Sequence, residues 1–389
     1  MSVPALHIAQ DPAPELICAA SDIFDVQAFD AVLNLAILAN DKGARTALLD
    51  HLKAAQTDGR ASISAAFRKS PFRSRPTTRA YSYLTDCLVA AAFRTAQKLL
   101  HPNPTPTTGE RIAVLAVGGY GRGEMAPYSD VDLLFLTPYK ITPWAESVIE
   151  ATLYLLWDLK LKVGHSSRTV RDCIRLGAED FTIRTAMLEH RFLLGDQNLA
   201  SELDTRLRAD LFQGTEREFI RAKLSEREAR HRKQGQRYVV EPNVKEGKGG
   251  LRDLQSLFWI GKYIYKVQDA AELVPLGLFA ADEFRDFVKA EDFLWATRCH
   301  LHLLTGRPTD QLSFDMQVAV ADAMGYEDKS GRQGVEIFMQ AYFREATVVG
   351  DLTRIFLTGL EAIHLKDDPL LERLFKRRPR TKPGYQVIH

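Results

Sequence analysis

The apolar residues of this chain repeat with two periods, and the change of period divides it. Asp25 to Leu38, Ala44 to Ala55 and Thr77 to Leu100 carry apolar residues at helical spacing, the last stretch ending before Pro102. Ile112 to Val117 and Leu133 to Leu136 are short continuous apolar runs of strand type. Between them stand a glycine-rich turn, with Gly118, Gly119, Gly121 and Gly123, and the run Ser129-Asp130-Val131-Asp132. Trp144 to Leu159 returns to helical spacing, with Ala145, Val148, Leu153, Leu156 and Trp157 on its apolar side. Lys160 to Thr169 reads as a third strand. The order strand, loop, strand, helix, strand predicts a small mixed sheet with helices packed on it.

From Val170 to Leu365 the pattern is almost wholly helical. Thr215 to Gln236 is densely charged, and i,i+4 pairs such as Glu226 with Arg230 predict a solvent-bridging helix. Leu251 to Lys266, Asp282 to Leu304 and Val335 to Leu360 are amphipathic. Met1 to Leu16, with three prolines, reads as an irregular arm. His101 to Gly109 reads as a loop, Lys376 to Lys382 as a basic run, and Tyr385 to Ile388 as the start of a strand. The expected fold class is α+β. A small mixed-sheet domain over residues 76–170 follows a helical extension, 1–75. It precedes a mostly helical domain, 171–370, and the start of a linker, 371–389.

Composition narrows the classes. Of 389 residues, 46% are apolar, ample for buried cores, and 51 Lys+Arg against 50 Asp+Glu leave a net charge of +1. No overall charge therefore argues for nucleic acid or membrane. Cys18, Cys87, Cys173 and Cys299 are scattered and form no C-x-x-C pair, so neither a zinc site nor a disulfide framework is indicated. The first residues do not read as a signal peptide. No apolar run reaches the roughly 18 residues needed to span a bilayer. A cytoplasmic protein is expected.

The chemistry concentrates between Val117 and Leu136. Strand alternation places Asp130 and Asp132 on one face, roughly 6.5 Å apart. Two carboxylates so held can share divalent cations, and hard oxygen ligands suit Mg²⁺. The glycines let main-chain N–H groups approach a phosphate closely. Val131 and Leu133 would anchor the strand in the core. Alone, a glycine-rich turn or a D-x-D pair is weak evidence; their combination reads as a triphosphate cradle beside a carboxylate-bound metal. Lys160 to Thr169 holds no Asp or Glu. His165 is its only imidazole and reads either as a general base or as a structural histidine. Glu189 and Asp196 are further candidates for the base. Arg60, Arg68, Lys69, Arg73 and Arg75 form either a basic patch near the triphosphate or a solvated helix face. Gly247, Gly249 and Gly250 make a second glycine-rich turn. There Lys245, Lys248 and Arg252 either close over the phosphates, or Arg252 forms a structural ion pair in a tight inter-helix turn.

A G-G pair, about ten residues, then Ser-Asp-x-Asp inside an apolar strand resembles the nucleotidyltransferase superfamily of the DNA polymerase β type. The longer strings are narrower. VGGYGRGEMAPYSDVDLLFL (117–136), LWDLKLKVGHSSRT (156–169) and EPNVKEGKGGLRD (241–253) resemble the bacterial PII uridylyltransferases. The first string resembles the glutamine synthetase adenylyltransferases less closely. The resemblance runs from about residue 80 to about residue 360. It implies Mg²⁺-dependent transfer of UMP from UTP to a tyrosine of the PII signal protein, with pyrophosphate released. Asp130 and Asp132 would be the catalytic metal ligands. Gly118, Gly119, Gly121 and Ser129 would bind the nucleotide phosphates. Arg122 would clamp the pyrophosphate, or be held in place by Glu124. Other superfamily members often supply a third carboxylate from the third strand; the PII family's own G-H-S-x-R-T run lacks one.

PII uridylyltransferases continue into an HD hydrolase domain and two ACT domains. This sequence holds no His-Asp doublet, so the uridylyl-removing activity is expected to be absent from it. The competing readings are adenylylation of glutamine synthetase and a nucleotide-binding regulatory module without catalysis. The intact D-x-D pair argues against the second. A nucleic-acid nucleotidyltransferase fits poorly with the near-neutral charge.

Overall fold

The structure, a computed structural model, describes residues 15–39, 43–234 and 239–364. The proline-containing arm up to residue 14, the basic run Lys376 to Lys382, the strand expected at Tyr385 to Ile388 and the rest of the 371–389 linker lie outside the described residues.

Four strands form one mixed sheet: β1 (Ala113–Ala116), β2 (Val131–Thr137), β3 (Val163–Thr169) and β4 (Arg191–Gly195), in the spatial order β3-β2-β1-β4. β1 runs antiparallel to both neighbours, whereas β2 and β3 are parallel and are joined by the helix Pro143–Asp158. A parallel pair needs such a crossover, and Thr142 starts it by accepting the Ala145 N–H at 3.2 Å.

β2 is apolar on both faces because helices cover both. Val131, Leu133 and Phe135 join Val114 and Ala116 in a core shared with Leu84 and Leu88 of Ser74–Thr95 and with Val148 and Leu155 of Pro143–Asp158. Leu134 and Leu136, with Ala113 and Leu115, face Val170, Cys173, Leu199 and Leu203 on the other side. Asp132 shares that second face by alternation. It stands near the start of β2, where the apolar cover ends.

A third core joins the helices Glu216–Gln234, Leu251–Tyr265, Ala281–Thr305, Phe314–Ala323 and Gly334–His364. It also takes in Phe67 from the helix Ala44–Lys69, so the amino-terminal helices are packed against the carboxy-terminal ones. Phe67 stacks on His300 at 4.4 Å, and His300 Nε2–H donates to the Pro71 carbonyl at 3.0 Å. All four cysteines are free thiols. Among the described residues no helix is long and apolar enough to cross a membrane.

Three expectations are corrected. The region after Val170 is not wholly helical, because Arg191–Gly195 pairs with β1 as the fourth strand. The helix starting at Ala44 does not stop at Ala55 but runs to Lys69. Gly59 lies inside it because the Ile23 carbonyl oxygen occupies the space a Cβ would need. The pair Glu226–Arg230 does not form: Glu226 meets Lys223 at 2.8 Å, and Arg230 turns to Asp253. That helix is therefore not solvent-bridging. It buries Phe219, Ile220 and Leu224 in the third core.

Candidate active site

β1 leads through Val117 into a one-turn helix, Gly118–Gly121. The reversal is made at Gly118, whose φ of +61° lies in the left-handed region. The turn is closed by Gly121 N–H to Val117 C=O at 3.0 Å and Arg122 N–H to Gly118 C=O at 3.2 Å. Gly121 is needed for a different reason: a Cβ there would collide with the Glu189 carbonyl oxygen. Ser129 shapes the entry to β2. Its Oγ accepts the Ala126 N–H at 2.9 Å and its own N–H donates to the Ala126 C=O at 3.0 Å.

Asp130 is exposed, 3.3 Å from Lys162 Nζ. Asp132 is half-buried, its main-chain carbonyl taking the Val117 N–H at 3.0 Å. Its carboxylate is flanked by two bare Cα atoms. A Cβ on Gly118 would stand 3.3 Å from Oδ2, and one on Gly164 would stand 2.5 Å from Oδ1. Burial, then the neighbouring Asp130 charge, pushes the Asp132 carboxyl above its ordinary range, and Lys245 opposes the shift. Asp130, just before β2, and Asp132 within it are two nearby carboxylates that could share a divalent cation. Among the described residues no three His, Cys, Asp or Glu side chains gather to hold a metal ion. An ion of the Mg²⁺ type needs only one or two carboxylates, with water and phosphate oxygens completing its octahedron, so this pair could hold one.

The candidate bases lie elsewhere. Gly164 is the Cα partner of Asp132, and His165 is the partner of Leu133. Paired residues of neighbouring strands share a face. His165 therefore lies on the side of the sheet away from the Asp132 carboxylate, its ring edge-on to Trp157 at 6.2 Å. A role for His165 as a base beside the Asp132 carboxylate finds no support in this register. Glu189 is buried and accepts from Arg122 and from Trp259 Nε1. Asp196 caps a helix through the Leu199 N–H at 3.1 Å and lies 3.5 Å from Arg111.

Arg122 is not a free clamp. Its guanidinium is buried between Glu124, at 2.9 Å, and Glu189, and these carboxylates outweigh the desolvation that would disfavour its charge. In the second glycine turn, Arg252 pairs with Glu246 at 3.0 Å, donates to Gln255 at 2.9 Å and lies over the Trp259 ring at 5.3 Å. Lys248 is exposed. The residue that the turn brings to the carboxylates is Lys245. Its ammonium is half-buried and, among the described residues, has no hydrogen-bond or ion-pair partner within 4 Å, yet its charge is felt at Asp132. Burial, then Arg298 and Arg252, pushes the Lys245 pKa below its ordinary value.

Other contacts hold this arrangement. Tyr128 N–H donates to His302 Nδ1 at 3.4 Å, His302 Nε2–H reaches Asp310 at 3.3 Å, and Arg298 Nε donates to Asp310 at 2.7 Å. The segment entering Ser129-Asp130 is thereby tied to the helix Ala281–Thr305. Asp253 takes the Gly249 N–H at 2.9 Å and a bond from His231 Nε2 at 2.9 Å, with Arg230 also bound. Burial alone would raise its pKa, but His231, Arg227 and Arg230 hold it at about 2. Sequence reasoning named Lys245 together with Lys248 and Arg252 and left Gly164, His302 and Asp310 unnoticed. Lys245 carried a signal, as a lysine beside a glycine-rich turn; the other three carried none.

The family GlnD PII-uridylyltransferase matches residues 218–357. A protein of Ruegeria pomeroyi named bifunctional uridylyltransferase/uridylyl-removing enzyme is 67% identical over 94% of this chain and 40% of its own length. Proteins of the same name from Cereibacter sphaeroides and Rhodopseudomonas palustris are 59% identical over 98% of the chain and 49% identical over 88%. These matches cover 42% and 37% of the two relatives. The chain thus spans about two fifths of the length of the curated relatives it matches.

Proposed function

We propose, for a chain that resembles the bifunctional uridylyltransferase/uridylyl-removing enzymes over nearly its whole length, that this region carries the uridylyl-transfer half of their chemistry. The reaction is transfer of UMP from UTP to a tyrosine hydroxyl of the PII signal protein, with pyrophosphate leaving. The observation that carries the reading is the setting of Asp132, two residues after Asp130, between two glycines and with its raised pKa opposed by the Lys245 charge. A retired site has no chemical need for that arrangement.

Asp130 and Asp132 would hold Mg²⁺, which when bound supplies positive charge at the attacking and leaving oxygens of an in-line displacement. The chain's own residues position the reactants. Gly118 and Gly119 offer main-chain N–H groups to the phosphates, where the one-turn helix leaves its first N–H groups without an intrahelical acceptor. Ser129 fixes the turn that delivers Asp130. Arg122, gripped by Glu124 and Glu189, braces the glycine turn. Of Lys245, Lys248 and Arg252, which sequence reasoning offered together, Lys245 supplies the cationic contact to the triphosphate. No side chain is assigned as general base. Among PII, UTP and a nucleotide-binding regulatory role, the intact carboxylate pair favours turnover, in a cytoplasmic setting.

The test is label transfer with the purified chain, PII, Mg²⁺, ATP and 2-oxoglutarate, with labelled UTP and labelled ATP in parallel. ATP and 2-oxoglutarate are supplied as PII ligands. Label on PII from UTP alone, lost in Asp130→Asn with Asp132→Asn, is the expected result. Label from ATP would turn the reading toward adenylylation, and substantial turnover by the double variant would overturn the metal assignment.

A further inference from the structure

A second hollow lies beside the glycine turn, at the end away from Asp132. It has a volume of about 350 Å³, within the size range of small-molecule sites. Gly121 and Arg122 line it, while Gly118, Asp130 and Asp132 do not. Its other walls come from the helix Ser74–Thr95, the start of β4 and the helix Leu251–Tyr265.

Five cationic side chains reach this cavity, and three are already matched. Arg75 pairs with Glu291 at 2.8 Å, Arg191 with Asp86 at 2.9 Å, and Arg122 with Glu124 and Glu189. Arg79 and Lys262 remain. They stand on different helices, and among the described residues neither has a hydrogen-bond or ion-pair partner within 4 Å. Lys262 is half-buried, and burial pushes its pKa below the ordinary lysine range. The rest of the lining is mixed: Phe258 is its partly exposed apolar side chain, beside the polar Gln255, Gln268 and Asp269, while Leu254 and Phe287 are almost fully buried behind it.

We propose that this cavity is a second ligand site, which binds a small organic acid with its carboxylates on Arg79 and Lys262 and its carbon skeleton against Phe258. An arginine fork and a lysine point charge are what recognise carboxylates, and each charged hydrogen bond is stronger than a neutral one. Phe258 offers a carbon-bearing acid an apolar contact that a bare inorganic anion cannot use. Occupancy is read directly and not through turnover, because Gly121 and Arg122 of the glycine turn also line the cavity.

The test is isothermal titration calorimetry of the purified chain with succinate and with citrate, and with inorganic phosphate in a separate arm. Saturable binding of one of the two acids is expected. It should weaken at least about tenfold in Arg79→Gln and in Lys262→Gln, and persist in Arg79→Lys. Circular dichroism should show all three variants folded, since neither side chain bonds to the rest of the fold; if one variant fails to fold, the other decides. Phosphate binding without binding of either acid would overturn the organic-acid assignment. Absence of saturable heat in all arms, or acid binding indifferent to both substitutions, would overturn the site.

Discussion

Asp132 and Gly164 face each other across the parallel pair of β2 and β3, so closely that a Cβ on Gly164 would stand 2.5 Å from the Asp132 Oδ1. The position on β3 from which a third carboxylate would reach the metal is thus held open by the smallest residue. The bare Cα leaves Asp132 room to keep its rotamer.

Gly164→Ala should therefore act on turnover and not on folding. The added methyl must push the carboxylate aside, and a misplacement of this kind can cost roughly 10²-fold in rate. The melting temperature should stay within about 2 °C of the parent. Initial rates of label transfer together with thermal melts check this. An unimpaired Gly164→Ala enzyme would show that the Asp132 rotamer is not critical.

Lys245 and Lys248 sit three residues apart on one turn, yet only the Lys245 charge bears on Asp132. Lys245→Met should lower transfer by roughly 10- to 100-fold, the loss of one charged contact. Stability should be unchanged or slightly higher, because a half-buried ammonium without a partner is removed. Lys248→Met should stay within about twofold. Steady-state kinetics with varied UTP distinguish the two, and equal losses would end the assignment to Lys245.

His165→Ala should keep transfer within about tenfold, since the imidazole lies against Trp157 on the opposite side of the sheet from Asp132. A loss of roughly 10²–10⁴, with a pH profile that loses its basic-form limb, would return the residue to general-base work.

His300 makes stability depend on pH. Burial pushes its pKa down to about 4 against an ordinary 6.5, although its bond to Pro71 opposes the shift. The unfolded chain therefore binds this proton at a higher pH than the folded one does. Stability is full above about pH 6.5 and falls as the pH drops toward 4, by on the order of 3 kcal/mol. Urea unfolding of the parent and of His300→Gln across that range checks it; the variant should show a shallower decline.

The glycine turn and the strand that follows it were legible because they are local. Alternation in an apolar run predicted Asp130 and Asp132 on one face without knowledge of any partner strand, and the helix between β2 and β3 could be read from its spacing. What escaped depends on approach in space. β4 is a five-residue edge strand made by pairing with β1, about 75 residues earlier. Gly59 looks like a helix breaker until the Ile23 carbonyl is seen against it. The side of the sheet that His165 occupies follows only from the β2–β3 register. Lys245 could not be told from Lys248 by composition, because the difference is which way the turn is anchored.

That anchoring has a kinetic consequence. The segment bearing Lys245 is fastened on several sides: Val244 N–H to Asp310 C=O at 2.8 Å, Leu312 N–H to Pro242 C=O at 2.9 Å, and Arg252 N–H to Lys245 C=O at 2.9 Å. Its ordering entropy is lost when the chain folds and not when nucleotide arrives. Nucleotide should meet this wall of the cleft in its final shape, and the amides of Val244, Leu251 and Arg252 should exchange with deuterium slowly before any nucleotide is added.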